Sequence, residues 1–430
     1  MGYASGHPMP PAVQVLNPQP EVVYSRPHGA GRIDGIDILR GLAIFFVVML
    51  HVHVHLVLDK VHYGHAIPKD LLRALVWNGQ TGVQMFFAVS GFLITTTSLR
   101  RWGTLTNVSP RGFYLMRFAR IAPMLLALLA VLSALQWAGV SGIAIPPEQV
   151  GLGRALFAAL TFHINVLSAH RGYLPGAWDI LWSLSVEEMF YLFFPLACVL
   201  LARRKLMVPL LCLFVVLGPF ARTHGNQIWR EKSYLGGMDT IAMGCLTALL
   251  CSRVRFSSKM LRVFGACGTA LLVFVLGFGR LVNAWGLDSS GLGMTVLGIG
   301  TCLVMIAASQ SEWRAPRVLS PLLDLGQCSY EVYLTHMFVV LVLFQLFIAL
   351  GMPLPAVPVL FVAAVVVSTL LGDGIARVYS EPMNRLIRQR AKRYLDLDVR
   401  AQEQHARAGD VAGADGAAVE ARAEGHSSGV

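Results

Sequence analysis

The sequence predicts an all-α protein built into a membrane, and three observations lead to that fold class. Hydrophobic residues make up 55% of the 430 residues and charged residues only 14%, whereas soluble proteins average about 25% charged residues. Apolar runs long enough to cross a bilayer recur along nearly the whole chain. Lysine and arginine cluster at alternate ends of these runs, as in helical membrane proteins. We therefore expect a polytopic bundle of about ten transmembrane helices, with the lipid bilayer as its partner.

Ten apolar runs approach the length of about 20 residues that a transmembrane helix needs. They lie at 36–58, 80–99, 119–140, 181–202, 206–221, 236–252, 260–281, 292–309, 325–349 and 355–378. With the N-terminus inside, the basic clusters at 100–120, 203–205, 253–259, 314–317 and 385–393 all fall on the inner side. The bias of Lys and Arg toward cytoplasmic loops favours this orientation, so we expect both termini to be cytoplasmic.

The segment 152–167 is apolar enough to be an eleventh span. Counting it would place the basic residues 203–205 on the outer side, against the charge bias. We therefore expect it to be an outer-side or re-entrant helix.

One integral-membrane domain is expected over residues 33–390, with a polar tail at each end. Residues 1–32 are rich in Pro and Gly and lack the apolar core of a cleavable signal peptide, so we expect the first span to be a retained anchor. Residues 391–430 contain few large apolar side chains and cannot bury enough surface to fold alone. We predict that both tails, 1–32 and 391–430, are cytoplasmic and disordered.

Several kinds of partner are disfavoured by the composition. The net charge of +11 is concentrated at the ends of the apolar runs, so it indicates topology and not nucleic-acid binding. Seven cysteines are scattered through apolar segments without a CxxC pair, so neither a disulfide framework nor a zinc site is expected. His51 and His55 share a helix face, but no third ligand follows at a recognisable spacing, and we expect no metal. The sequence leaves the oligomeric state open.

The first span contains two ionisable residues, Arg40 and His51, eleven positions apart. At about 100° per residue, eleven steps come within about 20° of three full turns, so both side chains project from one helix face, roughly 16 Å apart along the axis. Ionisable groups in an apolar span are costly and usually face a protein interior or a polar cavity. The pair therefore indicates a functional site; the alternative for Arg40 is an anchor paired with Asp37.

Five further candidates lie in other spans. Arg117 and Arg120, at positions i and i+3, open the third span on the inner side, and His336 lies near the middle of the ninth. Glu187 and Glu188 lie in the outer half of the fourth span; neighbours on a helix point about 100° apart, so we expect only one to face a site. Each candidate also has a structural interpretation. Glu187 and Glu188 could lie at a solvated helix N-terminus, which favours carboxylates, and Arg117 and Arg120 could mark a cytoplasmic helix end. His336 could be a buried histidine with its hydrogen bonds satisfied.

Five motifs in this order resemble the integral-membrane acyltransferase 3 family, which O-acylates sugars and other hydroxyl acceptors. They are Arg40 with His51, residues 82–94, Arg117 and Arg120 followed by Ile121 and Pro123, residues 182–191, and residues 329–336. The similarity runs from Asp34 to Arg388, about 350 residues. Each motif alone is weakly specific, but five in the right order on a matching hydropathy profile are strong.

The resemblance implies an enzyme of the bacterial inner membrane that transfers an acyl group, with acetyl the expected one. The donor would be cytoplasmic acyl-CoA, with acetyl-CoA the expected form, acting as a co-substrate, and no cofactor would be tightly bound. The acceptor would be a hydroxyl of a cell-envelope or exported glycan, or of a lipid-linked sugar. The chain is expected to lack the extracytoplasmic hydrolase-like domain that some members carry.

The resemblance also implies roles for the candidate residues. Transfer from a thioester to a hydroxyl needs a base, and a free imidazole titrates near pH ~6.5, so His51 is the expected base. Glu187 or Glu188 would orient the imidazole or favour its protonated form, and His336 is expected in the same catalytic site. Planar guanidinium groups suit phosphates, which makes the three arginines the expected ligands of coenzyme A: Arg40, Arg117 and Arg120.

Three positions depart from the family pattern. Gly237 stands where a basic residue often precedes Asp239, Met189 stands where glutamine is common, and Glu331 stands where a small or apolar residue is usual.

The mechanism and the function each have an open alternative. Direct transfer and an acyl-histidine intermediate are both compatible with the sequence. The alternative function is a polytopic transporter of a small anionic or sugar-like solute, which would also place charged residues within spans.

Overall fold

The computed structural model describes residues 32–64 and 67–390. Regular structure within these ranges is helical and includes no β-strand, which confirms the predicted all-α fold class. The two predicted tails, 1–32 and 391–430, lie outside the described ranges except for Arg32.

Seventeen α-helices follow one another along the described ranges. They are α1 (Asp34–Leu58), α2 (Lys69–Val76), α3 (Gly79–Trp102), α4 (Pro110–Trp137), α5 (Leu152–Leu160), α6 (Ile164–Arg171), α7 (Gly176–Asp179), α8 (Leu181–Leu201), α9 (Met207–Thr223), α10 (Gln227–Lys232), α11 (Tyr234–Arg253), α12 (Ser258–Gly277), α13 (Gly279–Ala284), α14 (Gly293–Gln310), α15 (Ser320–Gln327), α16 (Ser329–Ala349) and α17 (Val357–Ile375). Short 3-10 turns lie at Leu105–Asn107, Arg317–Leu319 and Leu354–Ala356, and a π-helix at Ala376–Ser380 carries α17 on toward Arg390.

Nine stretches of the described chain are long and apolar enough to cross a membrane, judged by length and composition. They coincide with nine of the ten predicted spans. The tenth prediction, 206–221, coincides with α9, an apolar helix of 17 residues that is slightly shorter than the usual span. The predicted outer-side or re-entrant segment 152–167 corresponds to α5 and α6, of nine and eight residues, which are too short to cross.

Consecutive long helices alternate in direction, so the bundle has two faces. The basic face carries the starts of α1, α4, α9, α12 and α16 and the ends of α3, α8, α11, α14 and α17; contacts between Arg314 and Asp34 and between Gln310 and Phe256 lie there. The opposite face carries α2, α5, α6, α7, α10 and α13, where Asn78 bonds to Leu276.

Helix α1 lies at the centre, in contact with α3, α14, α15, α16 and α17. Beside it, α3 and α11 cross with almost no space between their backbones. A Cβ atom added at Gly91 would lie 1.9 Å from the carbonyl oxygen of Ile241, and one at Gly244 would lie 2.0 Å from that of Ala88. Glycine permits this close approach, which fixes the position of α3 against α11.

Candidate active site

A cavity of about 340 Å³ opens between α3, α4, α8 and α16 in the half of the bundle that contains the basic face. We call it the basic-face cavity. Its charged lining residues are Arg40, Arg117, Arg120, Glu187, Glu188 and Arg388. The fold therefore brings together all three predicted arginines and both predicted glutamates, and it adds Arg388 from the end of the described chain.

Arg117 is held in this cavity by two carboxylates and an aromatic ring. Its Nη2 atom lies 3.1 Å from Oε1 of Glu188 and 3.7 Å from Oε1 of Glu187. Its guanidinium carbon lies 3.6 Å from the ring centroid of Tyr191. Glu187 also accepts hydrogen bonds from Ser90 Oγ at 2.6 Å and from the Tyr191 hydroxyl at 2.7 Å. An ion pair removed from water in this way needs such additional partners, and here they fix all three charged side chains.

The ion pair corrects the predicted placement of these residues. Arg117 is predicted at the start of its span, but α4 begins at Pro110, because Ser109 caps it by accepting a hydrogen bond from the Gly112 amide. Arg117 therefore lies about two turns inside α4 and reaches Glu188, which lies equally far inside α8. Both glutamates line the cavity, whereas we expect only one to face the site from the helix geometry alone.

The remaining arginines make the cavity positively charged. Arg120 and Arg388 are exposed, and Arg388 lies within electrostatic range of Arg101, Arg117 and Arg120. Arg40 contacts Asp37 at 3.4 Å, the pairing considered from the sequence, and it still lines the cavity. Four lining arginines face two lining carboxylates, so the cavity suits an anion.

His51 and His336 meet deeper in the bundle. Nδ1 of His51 lies 3.2 Å from Nε2 of His336, and the two ring centroids are 4.9 Å apart. His336 is fully buried, with 0% of its surface exposed, and His51 is partly exposed. Arg40 lines the same cavity as residues of α16, and His51 contacts His336 of α16. Both side chains therefore project from the face of α1 that is turned toward α16, as predicted.

The surrounding carbonyl groups determine which nitrogen of each imidazole carries the proton. Nδ1 of His51 lies 2.8 Å from the Val47 carbonyl oxygen, and Nδ1 of His336 lies 2.7 Å from that of Tyr333. A carbonyl oxygen only accepts, so in the neutral rings each Nδ1 donates and each Nε2 keeps a lone pair. His336 Nε2 then accepts from His51 Nδ1, which leaves Nε2 of His51 unprotonated, as a general base requires.

The partner that orients His51 is therefore His336, together with the Val47 carbonyl. Within the described part of the chain, the hydrogen bonds of Glu187 and Glu188 go to Ser90, Tyr191 and Arg117. Neither glutamate is hydrogen-bonded to His51, so neither orients the imidazole directly; Arg117 holds both instead.

Tyr333 lies between the basic-face cavity and the histidine pair. It lines the cavity, and its ring centroid is 5.9 Å from that of His336. Its hydroxyl group lies 2.6 Å from Ser183 Oγ and 2.8 Å from the Ile180 carbonyl oxygen. The cavity and the histidine pair are thus adjacent, with one aromatic side chain between them.

A second ion pair lies on the opposite-face side of the histidines. Lys232 Nζ lies 2.5 Å from Asp179 Oδ2 and 4.5 Å from the ring centroid of Tyr173, and both charges act electrostatically on His51. The Tyr173 hydroxyl donates to Glu231 at 2.7 Å. Burial and the Glu231 carboxylate raise the pKa of Tyr173, so this phenol stays protonated and remains a donor.

Two departures from the family pattern have structural explanations. A Cβ atom at Gly237 would lie 2.6 Å from Phe87, so the position has no room for a basic side chain. Asp239 is instead paired by Arg222 from α9, at 2.8 and 2.9 Å. Glu331 is buried and accepts a hydrogen bond of 2.6 Å from Ser380, in the π-helix.

The pairing of Arg222 could not be read from the motifs. The one signal is its position, because an arginine near the opposite face runs against the bias of basic residues toward the other side. No group of three or more His, Cys, Asp or Glu side chains within 32–64 and 67–390 is arranged to hold a metal ion.

The geometry and the family comparison agree on the class of protein. A family model described as an acyltransferase domain matches residues 33–373. The chain therefore belongs to the acyltransferase 3 family, which confirms the resemblance inferred from the five motifs.

Two curated relatives are O-acetyltransferases. The chain is 25% identical over 341 residues to the peptidoglycan O-acetyltransferase OatA of Listeria monocytogenes, a match that covers 73% of this chain and 49% of the relative. It is 23% identical over 324 residues to the O-acetyltransferase OatA of Staphylococcus aureus, covering 71% and 50%. The chain thus spans about half the length of the curated relatives it matches. No solved structure matches it.

Proposed function

We propose that this chain is an inner-membrane O-acyltransferase that moves an acyl group, with acetyl expected, from cytoplasmic acyl-CoA to a hydroxyl of a cell-envelope or exported glycan, or of a lipid-linked sugar. One observation carries the proposal: a positively charged cavity on the basic face adjoins a histidine pair in which the partly exposed member, His51, has a free Nε2 lone pair. Membership of the acyltransferase family and the names of the two relatives support it.

The basic-face cavity would receive the donor. Basic residues concentrate on cytoplasmic loops, so the basic face is assigned to the cytoplasm, where acyl-CoA is available. Arg120 and Arg388 at the exposed part of the cavity, with Arg40, would bind the phosphates of coenzyme A through charge-assisted hydrogen bonds. Arg117 is held by Glu187 and Glu188, so its main role would be to shape the cavity and to supply positive charge.

The histidine pair would carry out the transfer. His51 Nε2 takes the proton from the acceptor hydroxyl while that oxygen attacks the thioester carbonyl carbon, and the C–S bond then breaks. The sulfur leaves with the electron pair and is protonated by the imidazolium, which restores neutral His51. His336 holds the ring through Nδ1, so that Nε2 points to the reactants. The same lone pair would serve as nucleophile if an acyl-histidine forms.

Mass spectrometry of cell-envelope glycans tests the proposal. Cells with the wild-type protein are compared with cells that lack it, carry His51→Ala or carry His62→Ala, a control at an exposed loop histidine. A mass increment of one acyl group is expected with the wild type and with His62→Ala only. Equal profiles in all four strains would contradict the proposed reaction on envelope glycans and would favour the transporter alternative.

A further inference from the structure

A second and larger cavity, of about 750 Å³, opens on the opposite face between α2, α10, α13 and the start of α14. We call it the opposite-face chamber, and its principal lining residues are Lys69, Arg73, Trp77, Gln80, Arg230 and Glu231. Its volume lies within the range of small-molecule sites, roughly 300–1,000 Å³. It shares no lining residue with the basic-face cavity.

The chamber has basic side chains that are free to bind an anion. Arg222 also lines it, but that charge is taken by Asp239. The carboxylate of Asp70 is likewise paired, with Arg280 at 2.8 Å, and that of Asp288 lies within electrostatic range of Arg73. The Glu231 carboxylate, which also lines the chamber, accepts a hydrogen bond from Tyr173. Lys69 and Arg230 form no ion pair with any residue in the described ranges. Basic residues on this face run against the usual charge bias of membrane proteins, so a ligand is a physical reason for their presence.

The chamber also has the features of a sugar site. Trp77 lines it with 56% of its surface exposed, and its ring is braced by His53, with the centroids 4.8 Å apart. A fixed, exposed indole offers an apolar face on which the C–H face of a sugar ring can stack. Beside it, Gln80 donates one amide hydrogen to the Glu231 carbonyl oxygen at 2.6 Å, which leaves its amide oxygen and second hydrogen for hydrogen bonds to sugar hydroxyls.

Helix α10 connects the chamber to an ion pair that acts electrostatically on His51. Glu231 lines the chamber, while its neighbour Lys232 pairs with Asp179 on the other side of α10. Asp179 and Lys232 both act electrostatically on His51. A ligand in the chamber therefore lies beside α10, the helix that carries one of the charges acting on the proposed base.

We propose that the opposite-face chamber binds a saccharide that carries a carboxylate or phosphate group, with the anion at Lys69 and Arg230 and a sugar ring on Trp77. The identification of this saccharide as the acyl acceptor rests on the proposed function. The binding itself does not, because it depends only on the lining residues.

Isothermal titration of the purified full chain in detergent tests the inference with three probes: cellobiose, cellobiouronic acid and cellobiose 1-phosphate. At least one anionic probe is expected to bind tenfold or more tightly than neutral cellobiose, because a charge-assisted hydrogen bond contributes that much. The tighter of the two anionic probes identifies the charged group. Equal binding of all three probes, or no binding at all, would overturn the inference.

Variants locate the binding. The double variant Lys69→Gln, Arg230→Gln is expected to lose the preference for the anionic probe, and Lys69→Arg, Arg230→Lys to keep it. Arg154→Gln, at an exposed arginine on the same face outside the lining, is the matched control with wild-type affinities. An anionic preference that survives the double Gln variant would place the site elsewhere and refute the assignment.

The donor reaction separates this inference from the proposed function. Release of coenzyme A from acetyl-CoA is measured in the same preparation with wild type and His51→Ala. Release that depends on His51, without binding of an anionic probe, would refute the chamber alone. Binding in the chamber without any release that depends on His51 would contradict the proposed function and leave the binding site in place.

Discussion

His336 is expected to act by positioning His51, and two amide replacements test this role. Glutamine places an amide oxygen close to where Nε2 lies, so His336→Gln keeps an acceptor for His51 Nδ1. Asparagine places an amide group near Nδ1, so His336→Asn keeps the hydrogen bond to the Tyr333 carbonyl and removes the one to His51. Both side chains are smaller than histidine, so neither overfills the fully buried position.

The size of the effect follows from the contacts of His51. Its Nδ1 proton is shared between the Val47 oxygen at 2.8 Å and His336 Nε2 at 3.2 Å, and the shorter contact stays in the variant. Loss of one neutral hydrogen bond costs about 1 kcal/mol, which is about fivefold in kcat/KM. His336→Asn should therefore lose about fivefold and His336→Gln less than threefold, whereas His51→Ala should lose at least about 10².

The assay is transfer of labelled acetyl groups from acetyl-CoA to the glycan fraction by purified membranes, with the amount of folded protein measured for each variant. The double variant His51→Ala, His336→Asn should be no worse than His51→Ala alone, because both act through one ring. A loss for His336→Gln as large as that for His51→Ala would refute the positioning role and place His336 in the chemistry itself.

Three further predictions concern the cavity and the packing. Arg120→Gln should raise the KM for acetyl-CoA by about tenfold or more, while Arg262→Gln, at an exposed arginine outside the cavity, should not; an unchanged KM would exclude Arg120 as a phosphate ligand. Asp239→Asn should destabilise the fold by about 3–5 kcal/mol, since it leaves the positive charge of the buried Arg222 side chain without a negative partner; thermal unfolding in detergent measures this, and an unaltered melting temperature would contradict it. Gly326→Ala should prevent stable folding, because its Cβ would lie 1.8 Å from the Asp37 carbonyl oxygen. The control is Gly374→Ala, whose Cβ would meet nothing within 4 Å; it should be neutral or stabilise the fold by about 0.5–1 kcal/mol. Equal yields of folded protein for Gly326→Ala and Gly374→Ala would show that α1 and α15 do not need this close contact.

Local patterns were sufficient to predict most of the fold. Hydrophobic length and the distribution of Lys and Arg predicted nine spans that the structure bears out and located α9, because both properties depend on neighbouring residues. The helical period placed Arg40 and His51 on one face of α1, and the fold turns that face to α16.

Contacts between distant residues could not be predicted in the same way. Arg117 meets Glu188 across 71 positions, and His51 meets His336 across 285. Such pairs depend on how helices pack, which close contacts such as that of Gly91 with Ile241 decide. The motifs therefore supplied candidate residues, but they did not show that the glutamates hold Arg117 and that the second histidine holds the first.

Neither cavity could be predicted from the sequence, because each is formed by residues that are far apart in the chain. Arg388 belongs to a basic cluster that is visible in the sequence, yet its place in the basic-face cavity depends on the π-helix that leads the chain there. The opposite-face chamber is lined by residues from seven helices: α2, α3, α9, α10, α12, α13 and α14. The sequence offers one hint of it, which is the presence of basic side chains on the face where they are usually scarce.

The central claim is that His51 transfers an acyl group that enters from the basic face. The most direct measurement uses inverted membrane vesicles, in which the cytoplasmic face is outside, with labelled acetyl-CoA added externally. We expect label in the enclosed glycan fraction with wild type and with His62→Ala, and none above background with His51→Ala present as folded protein. Equal labelling by wild type and His51→Ala would contradict the account.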